Sequence, residues 1–146
     1  MICRELEVRY VRGPAMHHDG RKPCRTSADT AAMVQPLVAD TLREQFFAIY
    51  LDTRLRPIGF VRTVGVLDSV PVRPAELLGT GLLAAAKTLI LVHNHPSGDV
   101  RPSPEDKRMT AQIVEAGRIL GIQVLDHIIL DGNGQHYSFA DHGELP

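Results

Sequence analysis

The sequence predicts an α/β fold: a sandwich built on one mixed β-sheet with helices on both faces. Three observations predict it. Apolar runs of strand length alternate with helical patterns in the order β-α-β-β-α-β-α-β-β. One of those strands, TLILVHN, is apolar on both faces, as a strand covered on two sides must be. The 146 residues suffice for one sizeable core and are short for two, so residues 1–146 are read as a single domain with its core at about 27–143.

Taken in order, residues 5–11, ELEVRYV, alternate polar and apolar side chains and predict an edge strand. GPAMHHDGRKPCRT is a Gly/Pro/polar loop. Thr26 or Ser27 then caps a helix to about Leu42, with Ala31, Val34, Leu37, Val38 and Leu42 spaced for one buried face. Pro36 inside that pattern predicts a kink or an early break. Glu44 opens QFFAIYLD, an aromatic and β-branched run typical of a buried strand, and residues 53–57 turn it into an antiparallel partner, IGFVRTVGVL. Pro74, favoured in a first helical turn, leads into a helix over about 75–86 that buries Leu77, Leu78 and Leu82. TLILVHN is the central strand, and PSGDVRPSP, with three prolines and a glycine, is a loop. Ser103, Pro104, Glu105 and Asp106 start a helix with a hydroxyl cap, a proline in the first helical position and acids in the first turn. It runs to about Leu120, buries Met109, Ile113, Val114, Ala116 and Leu120, and stops at Gly121. VLDHIIL is a further strand, DGNG a turn, and QHYSFA a short last strand.

Composition narrows the function classes. Sixteen basic side chains against 17 acidic ones give no general attraction to nucleic acid, so DNA contact requires a local patch or a partner chain. Arg21, Lys22 and Arg25, and separately Arg54, Arg56 and Arg62, read as solvated surface. Cys3 and Cys24 lack CxxC spacing, and MICRELEVRYVRG carries charges where a signal peptide needs an apolar run, so a reduced, cytoplasmic protein is expected. The apolar stretch over 84–92 contains Lys87 and ends at a histidine, so no membrane segment is expected. There is no GxxxxGK[ST], no GxSxG and no Cys/His pair suited to nucleophilic catalysis.

The chemistry concentrates in HNHPSGDVRPSPED. Strand alternation sends residues i and i+2 to one side, so His93 and His95 present two imidazoles to one point at the exit of an apolar strand. Asp106, in the first turn of the next helix, offers a third ligand; Asp99 is its rival on spacing alone. Two imidazoles and a carboxylate suit Zn2+ and leave a fourth position for water, which points to catalysis over structural stapling. The plainer reading makes the histidines polar strand-end residues and Asp106 a helix-capping acid.

The segment resembles the JAMM signature of the JAB/MPN metallopeptidase superfamily: H-x-H, seven residues, S, two residues, D, in the HNHPSGD wording of the bacterial RadC branch. The resemblance extends through LREQFFAIYLDTRLRPI, GIQVLDHIIL and HYSFADHG, roughly residues 40–143. It implies a cytidine-deaminase-like α/β fold and one Zn2+ per chain held by His93, His95 and Asp106, with Asp106 favoured over Asp99. It further implies attack by zinc-bound water on a peptide or isopeptide bond, with Glu44 as general acid/base and Glu76 as the runner-up. Ser103 matches the signature serine that steadies the oxyanion, a role compatible with its place as helix cap. The customary Gly-Thr after the hairpin is Gly65, Val66 here, and the customary Arg-Glu is Arg73, Pro74, Ala75, Glu76. RadC relatives carry a region resembling helix-hairpin-helix modules ahead of this domain; with about forty residues preceding it here, that region is expected to be missing. The inserted segments by which eukaryotic relatives grip ubiquitin are likewise not expected.

Two functions therefore stand side by side. One is a zinc metallohydrolase acting on a peptide or protein substrate. The other is an accessory domain in DNA repair, recombination or mobile-element biology with a structural or vestigial zinc site, nucleic acid being the partner that charge does not support. Of Asp126 and His127, which face opposite sides of a strand, Asp126 is the one expected to support the metal shell by a hydrogen bond. His17, His18 and Cys24, unevenly spaced in a polar loop, read as surface, as do His136 and His142. Edge strands make a homodimer a reasonable expectation.

Overall fold

The computed structural model describes residues 3–5, 22–39, 41–64 and 72–146. Within them the order is α1 (Ser27–Val38), β1 (Gln45–Leu51), β2 (Pro57–Val64), α2 (Pro74–Leu83), β3 (Thr88–Asn94), α3 (Pro104–Leu120), β4 (Gln123–Leu130) and β5 (His136–Ser138). Residues 6–11 of the strand expected over 5–11, the loop histidines His17 and His18, and Gly65 and Val66 lie outside the described residues.

The strands form one mixed sheet in the order β2-β1-β3-β4-β5. Hairpin β1–β2 is antiparallel, β3 runs antiparallel to β1, and β3 and β4, joined through α3, are parallel. Strand alternation sorts the side chains onto two helical layers. Phe47, Ile49, Leu51, Ile90 and Val92 pack against α1 through Ala31, Met33, Val34 and Val38. Phe46, Ala48, Tyr50, Leu89 and Leu91 pack against Leu77 and Leu78 of α2 and Ile113 of α3. The expected sandwich with helices on both faces is the fold observed, and all seven residues of β1 are buried.

Two helix ends differ from expectation, and in α3, which ends at Leu120 before Gly121 as expected, the buried face does. Helix α1 stops at Val38, two residues after Pro36, whose missing N–H and ring disfavour the turn around it; Leu42 is 89% exposed instead of buried. Helix α2 stops at Leu83, and Ala85 takes a positive φ of 52° to turn the chain into β3. Its buried stripe is Leu77, Leu78 and Gly81, which leaves Leu82 half exposed. Helix α3 buries Asp106, Thr110, Ile113 and Gly117, while Leu120 is exposed, because the chain reverses at Gly121 (φ 77°) and puts Ile122 into the core instead.

That reversal makes Gly117 a close-approach position. A Cβ there would lie 2.5 Å from the Ile122 carbonyl oxygen, a main-chain atom held by the entry to β4. Gly117→Ala should therefore cost about 2–3 kcal/mol of overpacking, of which alanine's helix propensity returns about 1 kcal/mol. Thermal denaturation should show Tm lower by roughly 2–8 °C; an unchanged or raised Tm would show that the carbonyl yields.

Cys24, expected at the surface, belongs to the core: its N–H donates to the Leu55 carbonyl at 2.8 Å, and burial pushes its thiol pKa up. Among the described residues, no helix is long and apolar enough to cross a membrane.

Candidate metal centre

The sheet brings the carboxyl end of β3 beside the start of β1, with Phe46 opposite His93. His93 and His95 leave β3 on the α2/α3 side and meet the first turn of α3. The ring nitrogens His93 Nε2 and His95 Nε2 are 2.9 Å apart, Asp106 Oδ1 is 3.2 Å from the first and Oδ2 3.1 Å from the second. Donors bound tetrahedrally at about 2.0–2.1 Å stand about 3.3 Å from one another, so each of these contacts already has nearly the spacing of neighbouring zinc ligands. Glu44 Oε1 lies farther out, 3.8 Å from His93 Nε2 and 4.0 Å from His95 Nε2. Among the described residues, Glu44, His93, His95 and Asp106 are the one group arranged to hold a metal ion.

Local structure aims each donor. Asp106 is the third residue of α3 and completes a capping box: its N–H donates to Ser103 Oγ at 3.1 Å, and its Oδ2 accepts the Ser103 N–H at 2.8 Å. Capping acid and candidate ligand are thus one side chain in one rotamer. Burial would raise the Asp106 pKa, but the His93 and His95 rings beside it, with the Ser103 N–H, hold it far below the usual carboxylate range. The carboxylate is charged and ready for a cation. Burial pushes His95 down, yet Asp106, the Asp99 carbonyl and Glu44 together hold its pKa raised.

His95 Nδ1 lies 2.7 Å from the Asp99 carbonyl, which can only accept. In the neutral ring that bond keeps the proton on Nδ1 and leaves Nε2 the lone pair a metal ion would take. Asp99 contributes nothing else to the site: its carboxylate is paired with Arg101, which lowers its pKa to about 2. Glu76 is exposed and paired with Arg73 at 3.1 Å on α2, so Glu44 is the glutamate at the cluster.

Glu44 is set by a residue that sequence reasoning passed over. Asn94, between the two histidines, points to the other face; its Oδ1 accepts the Gln45 N–H at 2.7 Å and its Nδ2 donates to the Arg43 carbonyl at 3.1 Å. Both neighbours of Glu44 in the chain are thereby clamped to the strand that carries the histidines.

The support behind His93 also differs from expectation. Asp126 faces away from the cluster and accepts from Ser138 Oγ, the Ala140 N–H and the His127 N–H, tying β4 to β5. His127 is the residue at the site, with Nε2 2.7 Å from His93 Nδ1. It is fully enclosed, and desolvation, followed by the proximity of His93, holds its pKa well below the ordinary histidine value.

The cluster opens into a cavity of about 720 Å³ lined by Glu44, His95, Ser103 and Asp106, with an apolar wall of Leu42, Phe46, Val72 and Met109 and polar Arg108 and Gln112. The Ser103 hydroxyl accepts in the helix cap, so its proton is not consumed there.

Comparison with known proteins places this geometry in context. Residues 24–144 match the family model of the RadC-like JAB domain. A UPF0758 protein of Methanosarcina acetivorans is 40% identical over 143 residues, covering 97% of this chain and 59% of the relative. Another, of Rubrobacter xylanophilus, is 39% identical over 145 residues, covering 99% and 60%. A third, of Desulforudis audaxviator, is 44% identical over 110 residues, covering 75% and 48%. The chain thus spans between 48% and 60% of the length of these curated relatives.

Proposed function

The chain belongs to the RadC-like JAB domain family, and from that premise and its ligand cluster we propose that it is a zinc-dependent hydrolase cleaving an amide bond, peptide or isopeptide, in a peptide or protein substrate. One observation carries the reading: two imidazole nitrogens and a charged carboxylate converge within 2.9–3.2 Å, with a second carboxylate just beyond them at the mouth of a cleft. His93, His95 and Asp106 would hold the ion. A zinc ion bound there supplies Lewis acidity that polarises the scissile carbonyl and brings the pKa of water toward about 7. Glu44 accepts a proton from the attacking water and delivers it to the leaving amine, a role that suits a carboxylate outside the ligand triangle. Ser103 donates its hydroxyl proton to the developing oxyanion. Leu42, Phe46, Val72 and Met109 receive apolar parts of the substrate.

The test is turnover of peptide and isopeptide-linked libraries by zinc-loaded protein, with loss on chelation and recovery on zinc addition. Bound zinc without turnover on any library, together with DNA affinity that survives Glu44→Gln, would favour the accessory role instead. Ser103→Ala should retain zinc, lose about 1 kcal/mol of stability with its cap, and lower kcat about 10²-fold. Ser103→Thr, which keeps the hydroxyl, should restore most of both; unchanged kcat in the alanine variant would leave Ser103 a cap alone.

A further inference from the structure

Resting on the metal-binding reading above, we infer that Thr110 and His127 are positioning residues that fix the tautomer of His93 and thereby set the affinity of the cluster for zinc. The derivation counts protons along three buried hydrogen bonds. A backbone carbonyl has only lone pairs, so Thr110 Oγ1, 2.6 Å from the Asp106 carbonyl, must donate its single proton there. With that proton committed, Thr110 can only accept from His127 Nδ1, also at 2.6 Å. A neutral imidazole has one N–H, so His127 Nε2 is an acceptor. It faces His93 Nδ1 at 2.7 Å, which must then carry the proton. His93 Nε2 is left with its lone pair directed at His95 Nε2 and Asp106 Oδ1. The series starts on the main chain of one candidate ligand and ends on the ring of another, joining α3 to β3 through β4.

Burial makes the relay strict. Thr110 and His127 are wholly inaccessible and His93 is 2% exposed, so solvent is in no position to replace a lost partner. The His127 ring is held in plane by stacking on Phe139, with centroids 5.0 Å apart, and by the edge contact with Phe46 at 5.7 Å. Thr110→Val keeps the shape but offers His127 Nδ1 no acceptor. His127 then favours the tautomer protonated at Nε2, which sends His93 the opposite way and puts a proton on the nitrogen that should bind metal.

Competition titration against a chromophoric chelator should give a zinc Kd about 10–100-fold weaker for Thr110→Val, and near wild type for Thr110→Ser. His127→Phe should weaken binding similarly, and His127→Gln, whose side-chain oxygen can accept from His93, should recover part of it. Nitrogen-15 shifts of the metal-free wild-type protein should find both His93 and His127 protonated at Nδ1, a readout that needs no variant to fold. Protonation of His93 at Nε2 in that spectrum overturns the inference. So does wild-type zinc affinity in a folded Thr110→Val protein. A wild-type protein that binds no zinc removes the metal reading itself, and this inference with it; a wild type that binds zinc as tightly as Thr110→Val removes the inference alone.

Discussion

His93→Ala and Asp106→Ala are each expected to abolish zinc retention in a protein that otherwise holds about one ion per chain. Each removes one of three donors that stand within 2.9–3.2 Å of one another, and two ligands cannot hold an exchangeable ion through dialysis. The two losses differ in what else they disturb. His93→Ala leaves His127 Nε2 without its donor inside a closed site. Asp106→Ala also dismantles the capping box of α3, so a stability loss of about 1 kcal/mol should accompany it. Asp106→Asn separates the two effects, since its side-chain oxygen can still accept the Ser103 N–H while the charge is gone. It should keep the stability and lose most of the zinc affinity. Metal analysis after dialysis, run beside thermal denaturation, reads both quantities. Full zinc content in both alanine variants would sink the ligand assignment.

Glu44→Gln is expected to do the reverse: unchanged zinc content and a fall in hydrolysis of about 10²–10⁴-fold, the contribution of a positioned general acid/base. The separation is geometric. Glu44 Oε1 lies 3.8 and 4.0 Å from the histidine nitrogens, outside the triangle they form with Asp106, and the amide of glutamine preserves its size while removing its capacity to take a proton. Loss of zinc in Glu44→Gln would instead make Glu44 a fourth ligand. Unimpaired hydrolysis would move the acid/base role elsewhere.

Much of the site was legible because its geometry is local. His93 and His95 share a side through strand alternation, and Asp106 is aimed by the capping box that Ser103 begins, a motif contained in four consecutive residues. The strand carrying the histidines was identified as central from its unbroken apolar run, and it is third of five in the sheet. Helix ends were less legible. Leu42 fits the apolar spacing of α1, but spacing does not reveal how far past Pro36 a helix can continue.

By itself, then, the sequence determined the fold class, the shared side of His93 and His95 and the capping box around Asp106, because each depends on backbone periodicity over a few residues; the preference for Asp106 over Asp99 came from the resemblance to the JAMM signature. Tertiary structure alone decided what surrounds them. Between Leu89 and Ile90 the pairing of β3 with β4 shifts by one residue, so that Leu91 stands beside His127. Continued without that irregularity from the Leu89–Val124 pair, Asp126 would have occupied that place on the metal-facing side. A single-residue shift in register exchanges the two faces of a strand, and no pattern within VLDHIIL records it. Asn94 is the same case: its clamp on both sides of Glu44 exists only once β1 lies against β3, joining residues far apart in the chain.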